Sequence, residues 1–248
     1  MKSAMLANMS HEIRTPLTGV IGFAEAISDK LEGDELERDG LEGDRLEGDE
    51  AETGQVAHFA SLIEDSGRRL LDTLDAVLNL SKLEAGQMTL GGKPVNLADQ
   101  ARQVAEELRP EAEEKGLELS VNAQEAWASA DEGGLKIVLQ NLISNAVKYT
   151  EEGRVEVRIY RREEEAVLEV EDTGIGMDPA VAEDLFEPFR QASEGLSREY
   201  EGTGLGLAVT KQAAEEMDGS IETHTQKGEG SRFTVRLPRA DGEAERSG

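Results

Sequence analysis

The chain contains no cysteine among its 248 residues. Disulfide bonds, thiolate metal sites and cysteine nucleophiles are therefore excluded, which agrees with a reducing cytoplasmic environment. Long hydrophobic runs are missing as well: no stretch approaches the ~20 apolar residues that a membrane-spanning helix needs, and no signal-peptide segment is present. We therefore expect a soluble, cytoplasmic chain that makes no direct membrane contact.

Basic residues are scarce. The sequence has 26 Lys and Arg against 53 Asp and Glu, a net charge of -27. Such a surface repels nucleic acid and anionic membranes, so we expect no nucleic-acid partner. An acidic surface also suits a protein in high salt, where ions screen the self-repulsion, and a halophilic source is a hypothesis from composition.

Two apolar repeats with alternating steps of four and three residues occupy the first part of the chain. The spacing predicts two helices of about 30 residues each. Equal lengths favour an antiparallel helical hairpin, and pairing of two copies as a four-helix bundle would bury the apolar seam. We therefore predict a homodimer built on a domain over residues 1–88. The seam positions are Leu6, Ile13, Leu17, Val20, Ala24, Ile27 and Leu31, then Phe59, Ile63, Ser66, Leu70, Thr73, Val77 and Leu80.

Between the predicted helices, residues 31–54 carry an acidic pentad repeat of the type Leu-Glu-Gly-Asp-Glu. A period of five matches neither helix nor strand, so we expect a solvated loop. The Asp and Gly content makes a calcium site conceivable, but no EF-hand ligand spacing is present.

From about residue 92, short strands alternate with helices. Strand pairs joined directly, with helices between them, predict an α/β sandwich over residues 92–240 whose mostly antiparallel sheet is covered on one face. Residues 241–248 are expected to be a disordered tail. The predicted helices cover residues 97–115, 131–149 and 205–217, and the predicted strands cover 117–122, 155–160, 166–171, 220–225 and 232–237.

A polar stripe of Asn141, Asn145 and Lys148 runs along the otherwise apolar helix predicted from Asp131. An amide oxygen can bind magnesium and an ammonium can meet phosphate, so the stripe indicates a nucleotide site, although a polar surface line remains the alternative. Two glycine motifs lie nearby: Asp172–Met177 follows a strand and Gly202–Leu207 opens a helix, where free N–H groups can approach phosphate. Neither fits a Rossmann or P-loop pattern.

His11 lies off the apolar seam, next to Glu12 and one helical turn before Thr15. Pro16 removes a backbone hydrogen bond and is expected to loosen the helix close to the imidazole. A lone histidine is most often an ordinary surface residue. Its combination with a carboxylate, a hydroxyl and the later nucleotide motifs indicates a phosphoacceptor site.

The chain resembles the catalytic core of a sensor histidine kinase of two-component signalling. All five sequence boxes of that family occur in family order and cover nearly the whole chain. These are His11–Leu17 (H box), Asn141–Thr150 (N box), Asp172–Met177 (G1 box), Leu185–Gln191 (F box) and Gly202–Leu207 (G2 box).

The resemblance implies a dimerisation and histidine-phosphotransfer domain followed by an ATP-binding domain of the GHKL (Bergerat) type. It implies His11, Glu12 and Thr15 as catalytic residues, with ATP and Mg2+ as cofactors and Asn145 as the metal ligand. Asp172 would accept the adenine amino group. The implied nucleotide-binding set is Asn141, Asn145, Lys148, Tyr149, Asp172, Gly174, Ile175, Gly176, Phe189, Arg190, Gly202, Thr203, Gly204, Leu205 and Gly206.

Under this resemblance, the neutral imidazole of His11 attacks the γ-phosphate while Glu12 holds or accepts the proton of the other ring nitrogen. The phosphoryl group then passes to the receiver domain of a response regulator, and Thr15 matches the residue that orients water during dephosphorylation of the regulator. The alternatives are a serine kinase or ATPase of the same superfamily and a non-catalytic scaffold. The input signal, and whether the chain is the cytoplasmic part of a longer membrane-bound receptor, stay open.

Overall fold

The computed structural model describes residues 13–24, 26–27, 56, 58–64, 66–67, 70–71, 73–74, 76–79, 92–182, 184–190 and 204–241. The chain divides into two compact units, Met1–Val77 and Leu78–Gly248. No helix in the described ranges is long and apolar enough to cross a membrane. The predictions for the acidic segment 31–54 and for the tail beyond residue 241 lie outside these ranges.

The described residues of the first unit form two helices. Described residues 13–24 and 26–27 form α1, and the described residues from 56 to 77 are helical and belong to α2. The rings of Phe23 and Phe59 stack with centroids 6.2 Å apart, and a Cβ added at Gly19 would lie 3.2 Å from Ser66 Oγ. From the Gly19–Ser66 contact to the Phe23–Phe59 contact, the residue number rises along α1 and falls along α2. The two helices are therefore antiparallel, and the predicted hairpin is confirmed.

Part of the apolar surface of this hairpin stays exposed in the single chain. Leu17 and Ile21 on α1 are 43% and 50% exposed, and Leu71 on α2 is 62% exposed. Full burial of a leucine or isoleucine side chain stabilises a protein by about 1.5–3 kcal/mol relative to leaving that side chain in water. The hairpin therefore has apolar side chains that a further helical partner could cover.

The second unit is an α/β sandwich. Its elements are β1 Lys93–Asn96, α3 Leu97–Glu114, β2 Glu118–Ala123, β3 Trp127–Ala130, α4 Glu132–Tyr149, β4 Arg154–Arg162, β5 Glu165–Asp172, α5 Pro179–Ala182, a 3-10 turn Asp184–Phe186, α6 Gly206–Glu216, β6 Ser220–Gln226 and β7 Gly230–Pro238. The five-stranded sheet has the order β2-β4-β5-β7-β6, in which β2 and β4 are parallel and all other neighbours are antiparallel. Strands β1 and β3 pair in a separate two-stranded sheet.

Every helix and strand predicted for this unit is present. The starts of α3 and α4 follow from side-chain caps, since Asn96 accepts from Ala98 N at 3.0 Å and Asp131 accepts from Gly134 N at 2.8 Å. The sequence pattern did not predict β1, β3 or the short helix α5. The two missed strands have four residues each, too few to display a period of two.

The two faces of the five-stranded sheet differ in chemistry. Val157, Leu168 and Val235 are buried on the face that packs against the helices. On the opposite face, Arg158 of β4 contacts Glu169 and Glu171 of β5, and Arg232 of β7 also contacts Glu171. The apolar face therefore carries the core, as predicted, while half-buried ion pairs line the other face.

Candidate nucleotide site

Asp172 ends β5 on the helix-covered face of the sheet and is only 6% exposed. Its Oδ1 accepts from Gly174 N at 2.9 Å and from Ser231 N at 3.2 Å. Burial raises the pKa of the Asp172 carboxyl above its ordinary value, and the two backbone N–H groups offset part of that rise. Within the described part of the chain Oδ2 has no hydrogen-bond partner, so this oxygen is available to the amino group of a ligand.

The loop after Asp172 packs so closely that it needs glycine. A Cβ at Gly174 would overlap the carbonyl oxygen of Tyr149, the last residue of α4, and Ile175 N donates to the same oxygen at 3.1 Å. Gly176 has φ +55°, and a Cβ there would overlap the carbonyl of Gln226. The loop is therefore held between the end of α4 and the β6–β7 turn.

The end of α4 is satisfied by groups from outside the helix. Lys115 Nζ donates to the carbonyls of Val147 and Lys148 at 2.9 and 3.0 Å. Tyr149 is largely buried, which raises the pKa of its phenol, and Lys148 Nζ lies 5.4 Å from its ring centroid. Carbonyls at a helix C-terminus need such donors, so these contacts fix where α4 stops beside the Asp172 loop.

The polar stripe of α4 faces the start of α6. Asn141 Nδ2 donates to Gly206 O at 3.1 Å, and Asn145 and Lys148 follow on the same stripe, both partly buried. The N-cap residue of α6, Leu205, is buried and makes no side-chain cap hydrogen bond. Backbone N–H groups at the start of an α-helix are donors to which anions bind.

The residues around Phe189 contact α6 and the residues just before it. Phe189 has φ +67°, its N–H donates to Gly204 O at 2.9 Å, and Gly204 itself has φ +64°. Arg190 is exposed and its Nε lies 3.6 Å from Glu187 Oε2. The Phe186 ring centroid is 5.9 Å from Lys211 Nζ on α6.

The described site residues therefore come together from four parts of the second unit: the second half of α4, the loop after β5, the segment ending at Arg190 and the start of α6. Ile175 is 43% exposed at this loop. Thr15, by contrast, lies in the first unit, where it is helical and exposed. His11, Glu12, Gly202 and Thr203 lie outside the described residues.

Sequence reasoning missed the residues that support Asp172 from β6 and β7. Ser231 N bonds its carboxylate, and Thr225 Oγ1 lies 3.0 Å from Ser231 Oγ and accepts from Met177 N at 2.9 Å. A Cβ at Gly230 would overlap the carbonyl of Asp172. The available signal was the pair of glycines at the turn into β7, Gly228 and Gly230.

The arrangement fits a purine nucleotide. A buried carboxylate with an open oxygen can accept from an exocyclic amino group, and the start of α6 suits phosphate. No cluster of three or more His, Asp or Glu able to hold a metal exists in the described ranges. A carboxamide oxygen, such as that of Asn145, is a ligand type that magnesium accepts.

Residues 130–241 match the family described as histidine kinase-, DNA gyrase B-, and HSP90-like ATPase, so this part of the chain is an ATPase domain of that class. Residues 1–86 match the His Kinase A (phospho-acceptor) domain, and the two matches together span more than half of the chain. The chain belongs to the sensor histidine kinases of two-component signalling.

The sequence and structure comparisons with individual proteins agree with this family assignment. The autoinducer 2 sensor kinase/phosphatase LuxQ of Vibrio parahaemolyticus is 34% identical over 98% of this chain and 27% of its own length. The circadian input-output histidine kinase CikA of Synechococcus elongatus is 37% identical over 96% of this chain and 30% of its own. The crystal structure of full-length ShkA in complex with AMPPNP has 30% identity and a TM-score of 0.64, covering 96% of this chain and 46% of that one. The chain spans less than a third of these two curated relatives.

Gly176 and Gly228 form a matched pair for testing the loop. Both have positive φ, +55° and +81°, but a Cβ at Gly228 would meet no atom within 4 Å. Gly176→Ala and Gly228→Ala are each expected to lose about 1–2 kcal/mol from left-handed strain. Gly176→Ala should lose about 1–3 kcal/mol more through its overlap and bind nucleotide at least tenfold more weakly. Denaturant unfolding and calorimetric titration with AMPPNP measure both; equal affinities of the two variants would contradict this account.

Proposed function

We propose that the protein is an ATP-dependent protein-histidine kinase that phosphorylates its own His11 and transfers the phosphoryl group to an aspartate of a separate response regulator. The observation that carries the proposal is the buried Asp172 carboxylate in its glycine loop, in a chain that also matches a phosphoacceptor domain. A nucleotide site alone would fit any ATPase of the superfamily. The added phosphoacceptor domain supplies a nucleophile.

His11 is proposed to act as the neutral imidazole. One ring nitrogen forms the N–P bond to the γ-phosphorus while the bond from that phosphorus to the oxygen bridging to ADP breaks. Glu12 holds or accepts the proton of the other ring nitrogen, which makes the attacking nitrogen more basic. ADP is the leaving group. The phosphorylated imidazole then serves as donor to the regulator aspartate.

The nucleotide residues are proposed to act in three groups. Asp172 accepts from the adenine amino group beside Gly174, Ile175 and Gly176. Bound Mg2+ supplies charge neutralisation at the phosphates. In the second group Asn145 holds the metal, Asn141 and Lys148 lie near the phosphates, and Tyr149 lies against the nucleotide. In the third group Arg190 reaches the γ-phosphate, and the segment that covers the triphosphate contains Phe189, Gly202, Thr203, Gly204, Leu205 and Gly206.

The exposed apolar residues of the hairpin support a homodimer, in which a domain over 1–88 forms the four-helix bundle and 92–240 the ATP-binding domain. Thr15, one turn after His11, is proposed to orient water for dephosphorylation of the regulator. LuxQ is itself named a kinase/phosphatase. We propose a cytoplasmic location for this part of the protein, and the net charge of -27 supports adaptation to high salt.

The proposal is tested by incubating the whole chain with γ-labelled ATP and Mg2+. We expect protein-bound label that is stable in alkali and lost in acid, because a phosphoramidate hydrolyses in acid. The label should pass to a receiver domain of the source organism when that is added. Label that is instead lost in alkali and stable in acid would indicate a hydroxyl phosphoacceptor and refute histidine phosphorylation.

A further inference from the structure

A buried hydroxyl joins α4 to the first turn of α6. Thr210 is completely buried, and its Oγ1 donates to Gly206 O at 2.8 Å. Asn141 Nδ2 contacts the same two groups, Gly206 O at 3.1 Å and Thr210 Oγ1 at 3.3 Å. Three polar groups from the two helices therefore form one closed hydrogen-bond triangle.

Donor and acceptor counting fixes the orientation of the Asn141 carboxamide. The hydroxyl of Thr210 has one proton, and this proton goes to the carbonyl of Gly206. Both groups can then only accept from Asn141, so its amide nitrogen must face α6. The amide oxygen is left for a donor or a cation, as a carboxamide in the reverse orientation would place oxygen against two acceptors.

We propose that Thr210 is a positioning residue for the nucleotide phosphates. Its hydroxyl orients Asn141 and holds the first turn of α6 at a set distance from α4. Asn145 lies one helical turn beyond Asn141 on the same stripe, so the triangle also sets the distance between Asn145 and the start of α6. The inference rests on the proposed function, because it takes the ligand to be ATP.

The triangle has a functional consequence because it is a side-chain contact of the first turn of α6 with another helix. The triangle links Gly206, the first residue of α6, to the middle of α4. A displacement of about 1 Å between groups that bind the same substrate weakens binding and catalysis together. Loss of the hydroxyl should therefore affect phosphate binding and phosphoryl transfer beyond its effect on folding.

The test compares Thr210→Val, which removes the hydroxyl at similar volume, with Thr210→Ser, which keeps it. Thr234→Val is the matched control: Thr234 is also buried, 5% exposed, but its Oγ1 donates to Glu169 Oε2 on the opposite face of the sheet. The whole chain is titrated with AMPPNP with and without Mg2+, autophosphorylation is measured against ATP concentration, and amide hydrogen exchange is followed over residues 204–210 without nucleotide.

We expect Thr210→Val to weaken AMPPNP binding about tenfold with Mg2+, to lower the maximal phosphorylation rate and to speed exchange at the start of α6. Thr210→Ser and Thr234→Val should stay within about twofold of the wild type, even if Thr234→Val unfolds as easily as Thr210→Val. If Thr210→Val does not fold, Thr210→Ala against Thr210→Ser gives the same comparison.

Unchanged affinity and exchange in Thr210→Val, or an equal loss in Thr234→Val, would overturn the inference while leaving the kinase proposal intact. A wild-type chain that binds no AMPPNP would overturn both. Wild-type binding without any acid-labile label would refute the kinase proposal alone, because affinity and exchange still report on Thr210.

Discussion

The His11→Gln variant is expected to carry no acid-labile phosphate after incubation with ATP and Mg2+, a loss of at least about a thousandfold. The glutamine amide nitrogen is not nucleophilic, because its electron pair is delocalised into the carbonyl, whereas a neutral imidazole offers a free pair in the ring plane. Glutamine also has no counterpart of the second imidazole nitrogen, through which Glu12 is proposed to act. The measurement is γ-label retained after alkali and lost in acid.

His58 provides the control. It is exposed on α2, with its ring centroid 6.3 Å from that of Phe59. His58→Gln should keep wild-type labelling, and His11→Gln should keep wild-type AMPPNP affinity, because His11 is not proposed to bind the nucleotide. Label persisting at the wild-type level in His11→Gln would eliminate His11 as the phosphoacceptor.

The Asp172→Asn variant is expected to lose nucleotide affinity by about a hundredfold while staying folded. Asparagine can still present an oxygen to Gly174 N and Ser231 N, so the loop keeps both of its supporting hydrogen bonds. Its NH2 group then replaces the open oxygen and faces the amino group of adenine, so that two donors oppose each other. AMPPNP titration measures the loss.

Asp172→Ala serves for comparison, since it removes the loop's acceptor as well. We expect it to be less stable than Asp172→Asn and to bind no better. If Asp172→Asn bound AMPPNP as tightly as the wild type, Asp172 could not be the group that accepts from the base.

The pH dependence of the free energy of unfolding provides a second test of the environment of Asp172. Because the folded pKa of Asp172 is raised, the folded state holds this proton more tightly than the unfolded state. Wild-type stability should therefore fall as the pH rises from the ordinary Asp range, about 3.9, through the raised folded pKa. Asp172→Asn lacks this term, so its stability relative to the wild type should rise over that window and then level off.

The second unit shows why some of the site was predictable from the sequence. Asn141, Asn145 and Lys148 belong to one helix, and a period of 3.6 residues is enough to place them on one stripe. Ser231 lies 59 residues from Asp172 and reaches it only through strand pairing. Its contact uses a backbone N–H, which every residue except proline possesses, so side-chain chemistry gave no signal.

The hairpin was also predictable from local periodicity. Periodicity placed Phe59 in the seam, but it did not include Phe23, which stacks on Phe59. Strands β1 and β3 escaped because four residues carry too little pattern, although pairing with each other makes them regular. Local periodicity thus predicted the long elements, while tertiary pairing created the short ones and completed the site.

Two arginines on the face of the sheet opposite the helices help to set the register of β5, and with it the position of the Asp172 carboxylate. Glu171 and Asp172 are adjacent on β5 and point to opposite faces, and Arg158 and Arg232 both contact Glu171. A slip of β5 by one residue would exchange them, sending a glutamate into the nucleotide pocket and the aspartate out to the arginines. The contacts of Arg158 and Arg232 with Glu171 therefore favour the register in which Asp172, and not Glu171, lies on the helix-covered face.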